Sequence, residues 1–146
     1  MIVSASSDKT AIIWNADTYS VMKKLVGHSD SVNSAEFSPD GERVATASSD
    51  KTVRVWSVKT GEEIKRLQGH ISNVNSIAWS PDGQTILTAS SDGTAKIWET
   101  NTYECLRTIR NIPGLEILGC DFRSLHKEST LTGEDRQLLW EYGAEV

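Results

Sequence analysis

An all-β fold is what this sequence predicts: a partial β-propeller of about three blades, followed by a short C-terminal strand and a helix. Three observations carry that expectation. Trp14, Trp56 and Trp98 stand at an identical interval of 42 residues, each closing the same phrase, SSDKTAIIW, SSDKTVRVW and SSDGTAKIW. Gly27-His28 and Gly69-His70 open two of the intervals, and Ser-Pro-Asp-Gly at Ser38 to Gly41 recurs at Ser80 to Gly83. A period of about 40–45 residues with Gly-His early and Trp late marks a propeller array. No single repeat of this kind buries its own faces. Function is therefore expected on a surface rather than in a catalytic pocket.

Taken in order, the elements begin part-way through a blade. Met1 falls just before a second strand, so the partial first blade, 1–26, lacks its innermost strand. In the blade at 27–68, Ser31 to Phe37 is a short strand ended by Ser38-Pro39-Asp40-Gly41. Proline fixes φ at the second position of that turn and glycine takes the left-handed conformation after it. Arg43 to Ser48 is the second strand, and Ser49-Asp50-Lys51-Thr52 turns into the third, Val53 to Trp56. Lys59-Thr60-Gly61-Glu62 is the next turn and Glu63 to Leu67 the fourth strand. Such a spacing of turns reads as one antiparallel meander. A second complete blade follows at 69–110, and the array as a whole is placed at 1–112.

The second and third strands are rich in Val, Ile, Ala and Ser and show no strictly polar face, as a sheet covered on both sides requires. The fourth strands instead collect Lys23, Lys24, Lys65, Arg66, Arg107 and Arg110. Charges there suit an exposed outer edge that must not pair with other strands. Glu62, Glu63 and Glu104 lie among them, which weakens a basic rim for RNA or acidic lipid.

Length sets the main constraint. Propellers close with about 4–8 blades, and 146 residues supply only three to four at 42 residues each. Further blades in cis or a second copy are needed to close the ring. The net charge of −5 and the pI of about 5.2 argue against a nucleic-acid partner, since such binders carry a basic stripe. Cys105 and Cys120 lack CxxC spacing and are expected to be reduced, half-buried thiols. The chain enters the repeat phrase at once, with no signal peptide expected, and no apolar run approaches the ~18 residues of a span. A cytoplasmic location with no membrane partner is the expectation.

These phrases resemble the WD40 family over roughly residues 1–110. The resemblance implies a structural tetrad in each blade: a His of the Gly-His pair, a Ser or Thr of the second strand, an Asp of the following turn and the Trp. By position these are His28, Thr46, Asp50 and Trp56 in the second blade, and His70, Thr88, Asp92 and Trp98 in the third. The first retains Ser4, Asp8 and Trp14. A buried Trp N–H, hydroxyl, imidazole and carboxylate satisfy one another in series. The Asp that nominally follows the Trp is replaced by Asn15, Ser57 and Glu99.

His, Asp and Ser together invite a catalytic reading. A triad, however, needs one exposed nucleophile and one tuned base, whereas this set recurs in every blade with a tryptophan attached. Repetition points to a fold device, so no catalytic residue and no cofactor are expected. His28 and His70 lie on different blades without Cys or His neighbours, and no metal is expected either.

After Arg110 the pattern changes. Trp140 keeps the 42-residue interval, but Ile112 then stands where His belongs, with Thr130 as hydroxyl and Glu134 for Asp. Thr132 with Asp135 makes a capping-box-like start, Leu138, Leu139 and Tyr142 share one side, and Gly143 ends the run. The region 113–146 is read as a strand, Leu115 to Phe122, plus that helix, with a fourth-blade strand as the alternative. Residues 114–146 also resemble the C-terminal tail of bacterial repeat proteins, some carrying NACHT-type NTPase modules upstream.

The leading function is a non-enzymatic protein-interaction scaffold. The alternative is a sensor or regulatory segment of a bacterial signalling NTPase. WD40 partners usually dock on the face bearing the Gly-His loops and the turns before the third strands. By position that face includes Ser7, Ser31, Asn33, Ser49, Asn73, Asn75 and Ser91. The partner's identity is open, and these small polar residues are unlike the aromatic and Arg anchors of interface hot spots.

Overall fold

The structure, a computed structural model, describes residues 1–110. They form three antiparallel sheets in chain order. The first is three-stranded, β1 (Ile2–Ala5), β2 (Thr10–Trp14) and β3 (Val21–Val26). The second runs β4 (Val32–Phe37), β5 (Arg43–Ser48), β6 (Val53–Ser57) and β7 (Glu63–Leu67). The third runs β8 (Val74–Trp79), β9 (Thr85–Ser90), β10 (Thr94–Glu99) and β11 (Cys105–Arg110). Each strand pairs with its neighbour in sequence, so every sheet is a meander, and these are three blades of a partial propeller.

Turn chemistry sets where each strand stops. Gly41 and Gly83 take φ of 72° and 71° at the ends of the Ser-Pro-Asp-Gly turns. Ser38 and Ser80 cap those turns through short hydrogen bonds to Asp40 and Asp82. In the turn between second and third strands, Lys9 and Lys51 sit at φ 73° and 72°, where blade 3 has Gly93 at 77°. A β-carbon disfavours that conformation, and only the third repeat places glycine there.

Alternation along the strands gives each blade two buried faces. Val44 and Trp56 pack toward blade 1, in one cluster with Ala11, Ile13, Leu25 and Val32. Their neighbours Ala45, Ala47, Val53 and Val55 pack the other way, against Val74, Ile77, Trp79, Ile86 and Trp98 of blade 3. Small residues on blade 2 make room for two indoles from blade 3, Trp79 and Trp98. Backbone bonds also cross between blades: the Val32 amide donates to the Ser6 carbonyl at 3.0 Å. The Asn33 side chain donates to the Val74 carbonyl at 2.8 Å. Glu36 lies between blades and accepts from the Trp79 amide at 3.3 Å, and burial pushes its carboxyl up.

The fourth strands are exposed edges. In β7 every residue from Glu63 to Arg66 is exposed and only Leu67 is buried. Leu25 in β3 and Ile109 in β11 are likewise the buried residues of otherwise open strands. Cys105 corrects one expectation, because it is exposed rather than half-buried. It opens the edge strand β11, where a side chain has no covering sheet. Cys120, the strand from Leu115 to Phe122, the helix from Thr132 to Gly143 and the fourth-blade alternative at Trp140 lie outside the described residues.

Candidate functional site

Within blade 2, β5 and β6 bring a hydroxyl and an indole together in register. Val44 lies opposite Trp56 and Thr46 opposite Arg54. The Trp56 Nε1–H donates to Thr46 Oγ1 at 2.8 Å. Thr46 Oγ1 also lies 2.7 Å from His28 Nε2, and His28 Nδ1 lies 2.8 Å from Asp50 Oδ2. The hydrogens can be placed by elimination. Ionised Asp50 only accepts, so Nδ1 carries the imidazole proton; Nε2 then accepts from the threonine, whose oxygen accepts from the indole. All four groups are satisfied in one direction.

Electrostatics agree with a neutral imidazole. Burial pushes His28 below its ordinary value, against the pull of Asp50. Burial alone would raise the Asp50 carboxyl, but hydrogen bonds from Thr52, His28 and the Ser29 amide hold it well below the usual range. Blade 3 repeats the geometry closely. Trp98 Nε1 donates to Thr88 at 2.9 Å, His70 Nε2 is 2.8 Å from Thr88, and Nδ1 is 2.9 Å from Asp92. Asp92, raised by burial and lowered more by Thr94, the Ile71 amide and His70, settles at about 2.

Blade 1 keeps part of the chain of bonds. Trp14 Nε1 donates to Ser4 at 2.9 Å, and Asp8 accepts from the Thr10 hydroxyl and amide at 2.6 and 3.0 Å. No imidazole joins the two halves among the described residues. Asp8 is exposed and Trp14 only half-buried.

The histidines and the Asp turns lie at one end of the blades, and the rim residues gather there. The Ser49 amide donates to the Ser31 carbonyl, and Asn33 Nδ2 donates to Ser49 Oγ at 3.0 Å. The Ser91 amide donates to the Asn73 carbonyl, and Asn75 Nδ2 donates to Ser91 Oγ at 2.9 Å. Ser7 occupies the corresponding turn of blade 1, exposed. Blades 2 and 3 thus each present a compact set of amide and hydroxyl groups, held on a backbone that the buried relay anchors through Asp50 or Asp92.

Two features are not evident from the motif. Arg54 is buried under Gly27, forms a short ion pair with Glu63 and lies 5.9 Å from the Trp56 ring centre. A β-carbon at Gly27 would meet the Arg54 guanidinium and come 3.1 Å from the Trp56 ring, so a larger residue there would displace one of them. Arg43 similarly stacks 4.9 Å from the Trp79 ring. Neither Arg54 nor Glu63 belongs to the repeat motif, and the bulged register that sets Glu63 opposite Trp56 brings its carboxylate within reach of Arg54. Among the described residues, no group of three His, Cys, Asp or Glu side chains is placed to hold a metal.

Comparison with known proteins follows the repeats. The family described as "WD domain, G-beta repeat" matches residues 19–57 and 61–99, more than half of the chain. "Non-functional target of rapamycin complex subunit LST8-2" of Arabidopsis thaliana is 49% identical over 41 residues, 28% of this chain and 13% of that protein. "Ribosome assembly protein 4" of Saccharomyces cerevisiae is 44% identical over 45 residues, 31% of this chain and 9% of that protein. The matched stretches are thus a small part of either relative.

Proposed function

Since this chain belongs to the WD40 family, we propose that it is a propeller segment whose task is to hold protein partners, not to catalyse a reaction. Proteins of the family are generally non-enzymatic scaffolds. The observation that carries the reading is the repeated relay. Its His and Asp, which could do chemistry, are bonded on both sides by Thr, Trp and backbone groups within the blade. What remains accessible is a rim of fixed small polar groups, Ser7, Ser31, Asn33, Ser49, Asn73, Asn75 and Ser91. A pre-organised rim of this kind lowers the ordering cost of docking.

One relative is named as an assembly protein, and the other, named as non-functional, carries the name of a complex subunit; the first of these fits a role in holding partners together. The alternative as a sensor segment of a signalling NTPase receives no support from the family match or from either relative. Closure of the ring by further blades in cis or by a second copy belongs to the same proposal. The open face of blade 1 supports it: Ile2 is 49% exposed, whereas Val44 and Ile86, at the same position of blades 2 and 3, are fully buried against a preceding blade.

Photo-crosslinking tests the docking face. A crosslinker at Ser49 or Ser91 is expected to capture a defined protein from an extract of the source cells. At Lys59 or Pro81, at the other end of the blades, it is expected to capture none. Equal capture from both ends would remove the rim from consideration.

A further inference from the structure

Blades 2 and 3 differ at one place where the repeat would make them alike. In blade 2, Arg54 lies beneath the Gly27 connection and Glu63 neutralises it. In blade 3 the corresponding positions hold Lys96 and Cys105. Lys96 Nζ donates instead to Thr108 Oγ1 at 2.8 Å. Among the described residues, neither Lys96 nor Arg110 has a carboxylate within ion-pair distance. A cavity of about 300 Å³ opens at this point, lined by Gly69, Ile71, Asp92, Thr94, Lys96 and Arg110.

Its one carboxylate is already saturated. Asp92 accepts from Thr94 through Oδ1, and from the Ile71 amide and His70 through Oδ2. The cavity therefore offers a visitor two cations, and its one carboxylate, engaged by these hydrogen bonds, forms no ion pair with either of them among the described residues. It also offers an aliphatic side chain, since Ile71 is 78% exposed at the position held in blade 2 by Ser29. The aliphatic side chain is thus particular to blade 3 and stands at the mouth of the cavity. The chain's overall charge of −5 is no obstacle, because salt limits the reach of distant charges to about 8 Å.

We propose that this cavity is a docking pocket for an acidic peptide segment, in which a Glu or Asp carboxylate meets Lys96 and Arg110 and a neighbouring aliphatic side chain covers Ile71. The proposal rests on the scaffold reading and names one kind of partner for it. Charge-assisted bonds to the carboxylate supply orientation, and the apolar contact supplies much of the affinity. Blade 2 cannot take the same ligand, because Glu63 already occupies the equivalent cation.

The test uses the whole chain and fluorescence anisotropy, with a fluorescein-labelled peptide carrying Glu-Leu-Glu in a Gly-Ser frame. Saturable binding is expected, weakened at least tenfold when the core is Gln-Leu-Gln. Cys105→Glu recreates the blade 2 arrangement and is expected to abolish binding by neutralising Lys96. Ile71→Ser, at an exposed position that does not threaten the fold, is expected to weaken binding severalfold. Absence of saturable binding overturns the proposal, as does equal affinity for the Gln peptide or undiminished binding by both variants. Stronger binding of a single-stranded RNA oligomer that competes for the same site overturns the peptide assignment. A failed pocket leaves crosslinking from Ser49 and Ser91 intact, so the two readings fall separately.

Discussion

Blade 1 and blade 2 share a phrase, SSDKT, yet the same residues do different work in each. In blade 2 the Trp56 indole is buried and ends a relay that runs through Thr46 and His28 to Asp50. In blade 1 the Trp14–Ser4 bond persists, but among the described residues no histidine links it to Asp8, and both Asp8 and the indole see solvent. The lesson is that the motif's strength lies in joining elements that are far apart in sequence. His28 comes from the connection before β4, and without such a group the turn and the third strand are held only by local bonds. Local bonds exposed to water contribute little.

The largest effect expected from that difference is at the tryptophans. Trp56→Ala should cost about 3–5 kcal/mol, the usual range for an aromatic truncated in a core. Trp14→Ala should cost only about 1–2 kcal/mol, because part of its ring is already in water. Urea denaturation of the two variants decides it, and equal losses would mean that the blades are not energetically distinct.

Breaking the relay at its acid end comes next. Asp50→Ala strands the His28 Nδ1–H, the Ser29 amide and the Thr52 hydroxyl, and should cost about 1–3 kcal/mol. Asp8→Ala removes the acceptor of the Thr10 hydroxyl and amide, but Asp8 is exposed and water can take its place, so the cost should be smaller. A large effect at Asp8 would show that the exposed turn contributes more than its solvent contact suggests.

Acid should separate the blades as well. Burial holds the His28 and His70 imidazoles below their ordinary value, so the unfolded chain takes up protons first as pH falls. Their contribution is fully present above about pH 6.5 and is lost as pH drops from there toward the folded values. The Asp50 and Asp92 carboxyls are also depressed; their contribution stands above about pH 4 and is lost as pH falls through the folded values. The urea midpoint is expected to be lower at pH 5 than at pH 7. A His28→Gln, His70→Gln double variant is expected to flatten that slope, and an unaltered slope would place the proton uptake elsewhere.

The smallest effect is expected in the turn before the third strand. Lys51 holds φ at 72° where blade 3 has Gly93, so Lys51→Gly should raise stability by under about 1 kcal/mol. Relief of the strained β-carbon slightly exceeds the entropy that glycine loses on folding. A lower melting temperature would show the reverse.

Much of this molecule is legible in one dimension because its determinants are local or periodic. The 42-residue recurrence of tryptophan, the Ser-Pro-Asp-Gly turns and the mixed small and branched strands specify meanders of four strands, covered on both sides and charged on the outer edge. What only the tertiary structure decided depends on which side chains meet across strands and between blades. Alternation puts Arg54 on a buried face, but the register of β6 with β7 is what brings Glu63 to it. Replacement of Glu63 by Cys105 changes one letter of a repeat. In space it leaves Lys96 without a carboxylate partner among the described residues, beside Arg110 and an exposed Ile71, and exposes the thiol that sequence placed half inside. Pairings of that kind are set by distances of a few ångströms between residues nine or more apart, and periodicity reports which face a residue takes without reporting whom it meets there.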